Sequence, residues 1–148
     1  MQLADLVVVT GSQANVRAGY SSGTPAIGVG AGNVVTIIDE TADIAAAAEK
    51  IAASKTFDNA TSCSSENAVI VVDAVYDKAM EAFANQGGFL LNAEQAENLK
   101  SLHWQNGKLS NVLLAKDIDV VLAETGLASE APEGTRFLLA PQTDFTSS

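Results

Sequence analysis

Apolar positions along the chain follow two rhythms. Short continuous runs rich in β-branched residues, "LVVV" at 6 to 9, "VVTII" at 34 to 38 and "AVIVV" at 68 to 72, have the form of strands covered on both faces. Between the second and third runs, Ile44, Ala47, Ala48, Ile51 and Ala52 recur at helical spacing, with Thr41 or Asp43 placed to cap the start. After the third run, Val75, Ala79, Ala82 and Phe83 form another helical stripe, stopped by Gly87 and Gly88. Asn92 and Gln95 have the spacing of a capping box for a further helix carrying Ala96, Leu99 and Leu102. The segments "NVLLA", "DIDVVLAETG" and "TRFLLA" read as strand, helix and strand. Alternation of this kind predicts an α/β fold with a largely parallel sheet. The chain opens almost directly on a strand and closes on the polar tail "APQTDFTSS". Such abrupt ends lead us to expect a piece of a larger fold.

Composition narrows the function classes. With 148 residues and 47% apolar content the chain is long enough for a real core. The net charge of -10 is spread over the sequence, which argues against a nucleic-acid partner and leaves no basic patch for a membrane surface. No apolar run approaches the roughly 20 residues that cross a bilayer, and "MQLADLVVVTG" lacks the features of a signal peptide. The expectation is a soluble, cytoplasmic protein. One cysteine forms no internal disulfide, and one cysteine with one histidine is too little for a zinc site. No metal is expected.

Two glycine-bearing turns are candidates for ligand contact. In "VVVTGSQANVRAG" a strand leads through Thr10, Gly11 and Ser12 into a run that starts a helix. Free N–H groups and the positive end of a helix dipole at such a turn hold a phosphate. An ordinary strand-to-helix turn, with glycine for tightness and serine for capping, has the same appearance. "GVGAGN" at 28 to 33 fails as a dinucleotide fingerprint, because Asn33 stands where glycine is required and "VVTII" follows as a strand. Gly28, Gly30 and Gly32 suit either the floor of a ligand site or a bulged turn.

The single thiol lies in "TFDNATSCSSEN". A structural cysteine is ordinarily set among apolar residues, whereas Cys63 is flanked by Thr61, Ser62, Ser64 and Ser65 between a helical and a strand-forming run. A loop location follows, where a thiolate is reachable. Spacing identifies no base beside it. His103 in "SLHWQNG" is the one histidine available, and a surface or packed role suits it better. A redox-sensing role for Cys63 lacks a resolving cysteine.

The succession "TGS", "GTPAIGVGAGN", "DETADI", "SKTFDNATSCSSENAVIVVD" and "VYD", from about Leu3 to about Leu139, resembles the acylating branch of the aldehyde dehydrogenase superfamily. These are the coenzyme A-dependent aldehyde dehydrogenases, including the dehydrogenase half of bifunctional aldehyde-alcohol dehydrogenases. The resemblance implies an α/β, aldehyde dehydrogenase-like, parallel-sheet three-layer architecture, incomplete here. Residues 1–30 would be the C-terminal part of the NAD(P)-binding domain and residues 31–148 a partial catalytic domain. Family members run to well over twice this length, and the tail after Leu139 departs from their pattern.

What the resemblance implies for chemistry attaches to particular positions. Cys63 matches the nucleophile that adds to an aldehyde to give a thiohemiacetal; loss of hydride to NAD or NADP leaves a cysteine thioester, which coenzyme A takes up as co-substrate. The Cys63 N–H would donate to the oxyanion. Thr10, Gly11 and Ser12 match the turn where the cofactor diphosphate rests, and Gly30 belongs to the glycine-rich stretch of the cofactor site. Where hydrolytic relatives place a glutamate base for water, this chain has Val29. Valine takes no proton, so hydrolysis loses its base, while a thiol acceptor needs less help. Val34 and Val35 replace a hydroxylated residue and a proline of acylating relatives. The implied substrates are small aldehydes such as acetaldehyde, propionaldehyde, sulfoacetaldehyde or succinate semialdehyde, and the parent enzyme would be a homo-oligomer. The alternative is a truncated, non-catalytic fragment of such an enzyme, inactive alone.

Overall fold

The computed structural model describes residues 1–30, 32–105 and 108–142. Ala31 of the glycine-rich stretch, Asn106 and Gly107 of "SLHWQNG", and residues 143–148 of the polar tail lie outside the described residues. Two compact units form, Met1–Val34 and Val35–Ser148.

In the first unit, strand β1 (Val7–Thr10), helix α1 (Gln13–Tyr20) and strand β2 (Ala26–Val29) make one parallel crossover. The register runs from Val7 opposite Ala26 to Thr10 opposite Val29. Ser12 caps α1 as its position predicts: its backbone is extended and its Oγ accepts from the Asn15 N–H at 3.3 Å. Val16 and Gly19 face inward. Gly28 permits the close approach of α1 to β2, since a Cβ there would stand 2.7 Å from Val16 Cγ1 and 2.9 Å from Tyr20 Cε2. β2 was not foreseen, because Gly28 interrupts its short apolar run.

The second unit holds β3 (Val34–Ile38, counted from Val35), α2 (Ile44–Thr56), β4 (Glu66–Val71), α3 (Tyr76–Asn85), β5 (Gly88–Leu90), α4 (Ala93–His103), β6 (Trp104–Gln105), β7 (Lys108–Leu109), α5 (Ile118–Thr125) and β8 (Phe137–Leu139). β3 pairs with β4, β5 with β8 in parallel, and β6 with β7 as a short antiparallel hairpin. Asp43, the second of the two capping candidates, caps α2 by accepting from the Ala46 N–H at 3.1 Å. The Asn92–Gln95 capping box at the start of α4 is complete in both directions. α5 ends on Gly126 in the left-handed conformation, φ 75°.

Two apolar clusters hold this unit together. The larger gathers Ile38, Ala48, Ile51, Ala52, Val75, Ala79, Phe83 and Phe137. Ala48, Ala52 and Ala79 are fully buried where α2 and α3 meet, so the two backbones approach closely. Phe83 and Phe137 pack edge to face with ring centres 6.3 Å apart. The smaller cluster gathers Leu91, Leu122 and Leu127, with Ile118, Ala96 and Leu99 against them.

Several expectations need correction. The apolar runs predicted strands covered on both faces, but burial alternates: Val8, Ile27 and Val29 in the first unit, and Val35, Ile37 and Ile70 in the second, are exposed. "NVLLA" at 111 to 115 is a turn and not a strand. Leu113 alone of its apolar residues is buried, Val112 N–H donates to Ser110 Oγ, and Ala115 turns to φ 56°. Gly87, at φ 85°, follows the end of α3, whereas Gly88 begins β5. The parallel α/β character is as expected, with the strands associated two by two.

Candidate active site

Cys63 stands exposed in the loop between α2 and β4. Its setting is a succession of tight turns. After Thr56 the chain turns sharply through Phe57–Ala60. Asp58, Asn59 and Ala60 all take positive φ, at 48°, 51° and 60°. Such backbone is costly for residues with a Cβ and least so for Asn and Asp. Local bonds offset the cost: Thr61 N–H donates to the Asp58 carbonyl at 3.1 Å, and the Thr61 hydroxyl donates both to that carbonyl and to the Asp58 carboxylate. Beyond the thiol, Ser65 donates to the Ser62 carbonyl from N–H and from Oγ, at 3.1 and 2.9 Å, and the Ser62 and Ser64 hydroxyls are bonded at 2.9 Å. Among the described residues the Cys63 N–H has no intrachain acceptor. The hydroxylated residues that set this thiol apart in the sequence are thus the ones that fasten its turn.

The base of the loop is closed by side chains. Lys55 Nζ, near the end of α2, donates to Asn67 Oδ1 on β4 at 2.8 Å. Burial pushes the Lys55 ammonium below its usual range near 10.5, while the Glu66 charge pulls it back. One carboxylate oxygen of Glu66 is buried without a hydrogen-bond partner, so the Lys55 charge is its compensation. Arg136, just before β8, donates from Nη2 to Thr56 Oγ1 at 2.9 Å, and Thr56 in turn donates to the Ala52 carbonyl. Asn59 Nδ2 donates to Asp117 Oδ1 at 2.9 Å, across 58 residues of chain. A groove of about 1370 Å³ lies against the loop, lined among others by Lys55, Asn59, Trp104, Leu113, Asp117 and Arg136. Cys63 is not among its lining residues. His103 lines it and packs edge to face on Trp104 at 6.4 Å.

In the first unit, the four other candidates come together at one place. Thr10 ends β1 opposite Val29, which ends β2, so Thr10, Gly11, Ser12 and Gly30 gather at the carboxyl ends of two parallel strands, the edge where ligands bind in α/β sheets. Gly11 has φ 111°, and a Cβ there would meet nothing within 4 Å. Gly30 lies beneath the Gln13 side chain, whose Nε2 a Cβ would meet at 2.6 Å. The space beside Gly11 is open, next to the start of α1.

Residues 3–120 match the model of the aldehyde dehydrogenase family. The chain belongs to the aldehyde dehydrogenase family. It is similar to a sulfoacetaldehyde dehydrogenase (acylating) of Cupriavidus necator, at 54% identity over 127 residues, covering 86% of this chain and 26% of that protein. The crystal structure of an acetylating aldehyde dehydrogenase from Geobacillus thermoglucosidasius matches with a TM-score of 0.88 and 38% identity, over 96% of this chain and 31% of that one. A propionaldehyde dehydrogenase of Rhodopseudomonas palustris, solved with bound CoA and an acylated cysteine, matches with a TM-score of 0.81 and 27% identity, over 91% of this chain and 31% of that one. The chain therefore spans between a quarter and a third of the length of these family members.

The sequence pointed to the thiol and its serine-rich flank but not to Lys55, Asn59, Asp117 and Arg136. Lys55 and Asn59 stand inside the motif "SKTFDN", where their spacing from Cys63 was available as a signal. Asp117 and Arg136 offered none, because only the fold brings them back to the loop.

Proposed function

We propose that the chain is the cysteine-bearing part of a coenzyme A-dependent acylating aldehyde dehydrogenase, converting a small aldehyde to an acyl-CoA through a thioester on Cys63. The observation that carries this reading is the exposed thiol, held in a multiply bonded turn inside the family-matched segment. The Cys63 sulfur adds to the aldehyde carbonyl, and the unpaired Cys63 N–H donates to the oxygen that gains charge. Thr10, Gly11, Ser12 and Gly30 would hold the diphosphate of NAD or NADP, and residues 1–30 and 31–148 then divide as cofactor part and catalytic part. When bound, the nicotinamide supplies the hydride acceptor. Val29 offers no carboxylate to water, so thioester cleavage falls to the coenzyme A thiol. The acylating relative from Cupriavidus and the CoA-bound relative from Rhodopseudomonas support this choice of acceptor. The aldehyde is not selected by these residues. Soluble, cytoplasmic operation and homo-oligomerisation of the parent enzyme belong to the same proposal; among the described residues no helix is long and apolar enough to cross a membrane.

The test runs the acyl transfer on the 148-residue chain itself. With acetyl-CoA, thiolate attack by Cys63 on the thioester carbonyl expels the coenzyme A thiolate and leaves an acetyl group on sulfur. Intact-mass analysis should show one hydroxylamine-labile acetyl group on the wild-type chain and none on Cys63→Ser. Equal labelling of both would overturn the reading. A second reading, that the chain alone turns nothing over, is favoured by its span of 26% of the Cupriavidus relative. It predicts no coenzyme A-dependent NADH formation from aldehydes by this polypeptide, and robust formation would refute it.

A further inference from the structure

Asp117 occupies the N-cap position of α5, where an aspartate side chain ordinarily accepts from the first turn of the helix. Here it does not: its backbone is extended as a cap should be, φ -60° and ψ 150°, yet its side chain makes no capping bond. Its carbonyl alone accepts, from the Val120 and Val121 N–H groups at 3.0 and 3.1 Å. The carboxylate is turned instead to Asn59 Nδ2. Asn59 is the middle of the three left-handed residues and lies four positions before Cys63. Unlike Asp58, whose side chain bonds within the turn, Asn59 spends its amide on this distant contact.

The contact also links elements anchored in the two apolar clusters of the second unit. α2, from which the loop emerges, is anchored in the larger apolar cluster, whereas α5 is anchored through Ile118 and Leu122 in the smaller one. After Asn59, bonded turns through Thr61, Ser62 and Ser65 flank the exposed thiol on both sides along the chain. We propose that Asn59 and Asp117 are positioning residues for Cys63: their side-chain bond fixes the nucleophile loop, rooted in one cluster, against the helix of the other. This proposal rests on the reading of Cys63 as nucleophile and adds the device that aims it.

The experiment measures the second-order rate of Cys63 alkylation by iodoacetamide as a function of pH, together with acyl transfer from acetyl-CoA, on the full chain. Asp117→Ala and Asn59→Gly are the disrupting variants. Glycine keeps the left-handed backbone while removing the amide, which separates the tether from the turn's dihedral cost. Asp117→Asn retains the acceptor oxygen. Each disrupting variant should change the alkylation rate about threefold or more, and the double variant should match either single within about twofold, as for two halves of one contact. Asp117→Asn should stay within about twofold of wild type. Rates for both disrupting variants within about twofold of wild type, in chains still folded by tryptophan fluorescence and circular dichroism, would overturn the proposal, as would independent, additive effects. Should Asp117→Ala unfold the chain, Asn59→Gly and Asp117→Asn decide it. Coupled alkylation rates in a chain that accepts no acetyl group would refute the functional reading and leave the positioning pair standing. Normal acetylation with unchanged alkylation would refute the pair alone.

Discussion

Phe83 offers the sharpest test of how the second unit is held. Its side chain has no exposed surface, and its ring meets the edge of Phe137 at 84° between planes. Replacing it by alanine removes the whole ring from the centre of the larger cluster. Buried Phe→Ala substitutions cost about 3–5 kcal/mol, with the cost rising as the cavity fails to collapse. Collapse is unfavourable here, because Ala48, Ala52 and Ala79 have only methyl groups carried directly on helix backbones. The upper part of that range applies, and it includes the lost ring pair, worth about 0.5–1.5 kcal/mol. A unit of this size has on the order of 5–15 kcal/mol in total, so the variant approaches the edge of folding. Phe83→Leu keeps most of the volume and should lose about 1–2 kcal/mol. Urea unfolding followed by the fluorescence of the single tryptophan, Trp104, reads this unit. At a slope of about 2 kcal/mol per molar, the alanine variant's midpoint falls by about 2 M and the leucine variant's by less than about 1 M. A loss below about 1 kcal/mol for alanine, or equal losses for the two variants, would mean that the cluster is not the organising core.

Other outcomes follow from single observations. Gly28→Ala should destabilise the first unit by about 1–3 kcal/mol through overpacking, since the new Cβ meets Val16 Cγ1 at 2.7 Å; amide exchange in α1 and β2 should accelerate, and unchanged protection would contradict the close approach. Asp39 accepts from the Thr41 hydroxyl and N–H, which holds its carboxyl below the ordinary value of 3.8. Because the folded form binds its proton less readily, the stabilisation is complete above 3.8 and lost as pH falls through the lower folded value. An NMR titration of Asp39 should therefore show a midpoint under 3.8 that returns toward it in Thr41→Ala; a midpoint at or above that value in the wild-type chain would refute the cause assigned.

Elements governed by local chemistry were legible in the sequence. Ser12, Asp43 and the Asn92–Gln95 pair each mark a helix start that the structure repeats, because a cap is a contact between residues three apart. Of the pair β5 and β8, which find each other across nearly fifty residues, β8 was legible as the apolar run of "TRFLLA", whereas β5 was not, because a three-residue strand that starts on Gly88 carries too little alternation to announce itself. "NVLLA" misled because apolar content was read as extended structure, whereas burying Leu113 alone suffices for a turn. For the site, the thiol and its hydroxylated neighbours could be read directly. The side chains that fasten its loop could not, since Asp117 and Arg136 reach it only through tertiary packing.

The outward rows of Val8 and Ile27 in the first unit, and of Val35, Ile37 and Ile70 in the second, make the chain's behaviour in bulk solution a contest between adhesion and repulsion. Every copy carries ten surplus negative charges, which keep neighbours apart over a screening distance of about 30 Å in 0.01 M salt but only about 8 Å at physiological ionic strength. Handling in dilute buffer thus favours dispersed molecules, and added electrolyte brings the greasy rows within reach of one another. Ionic strength becomes a colloidal control that any purification of this polypeptide must respect.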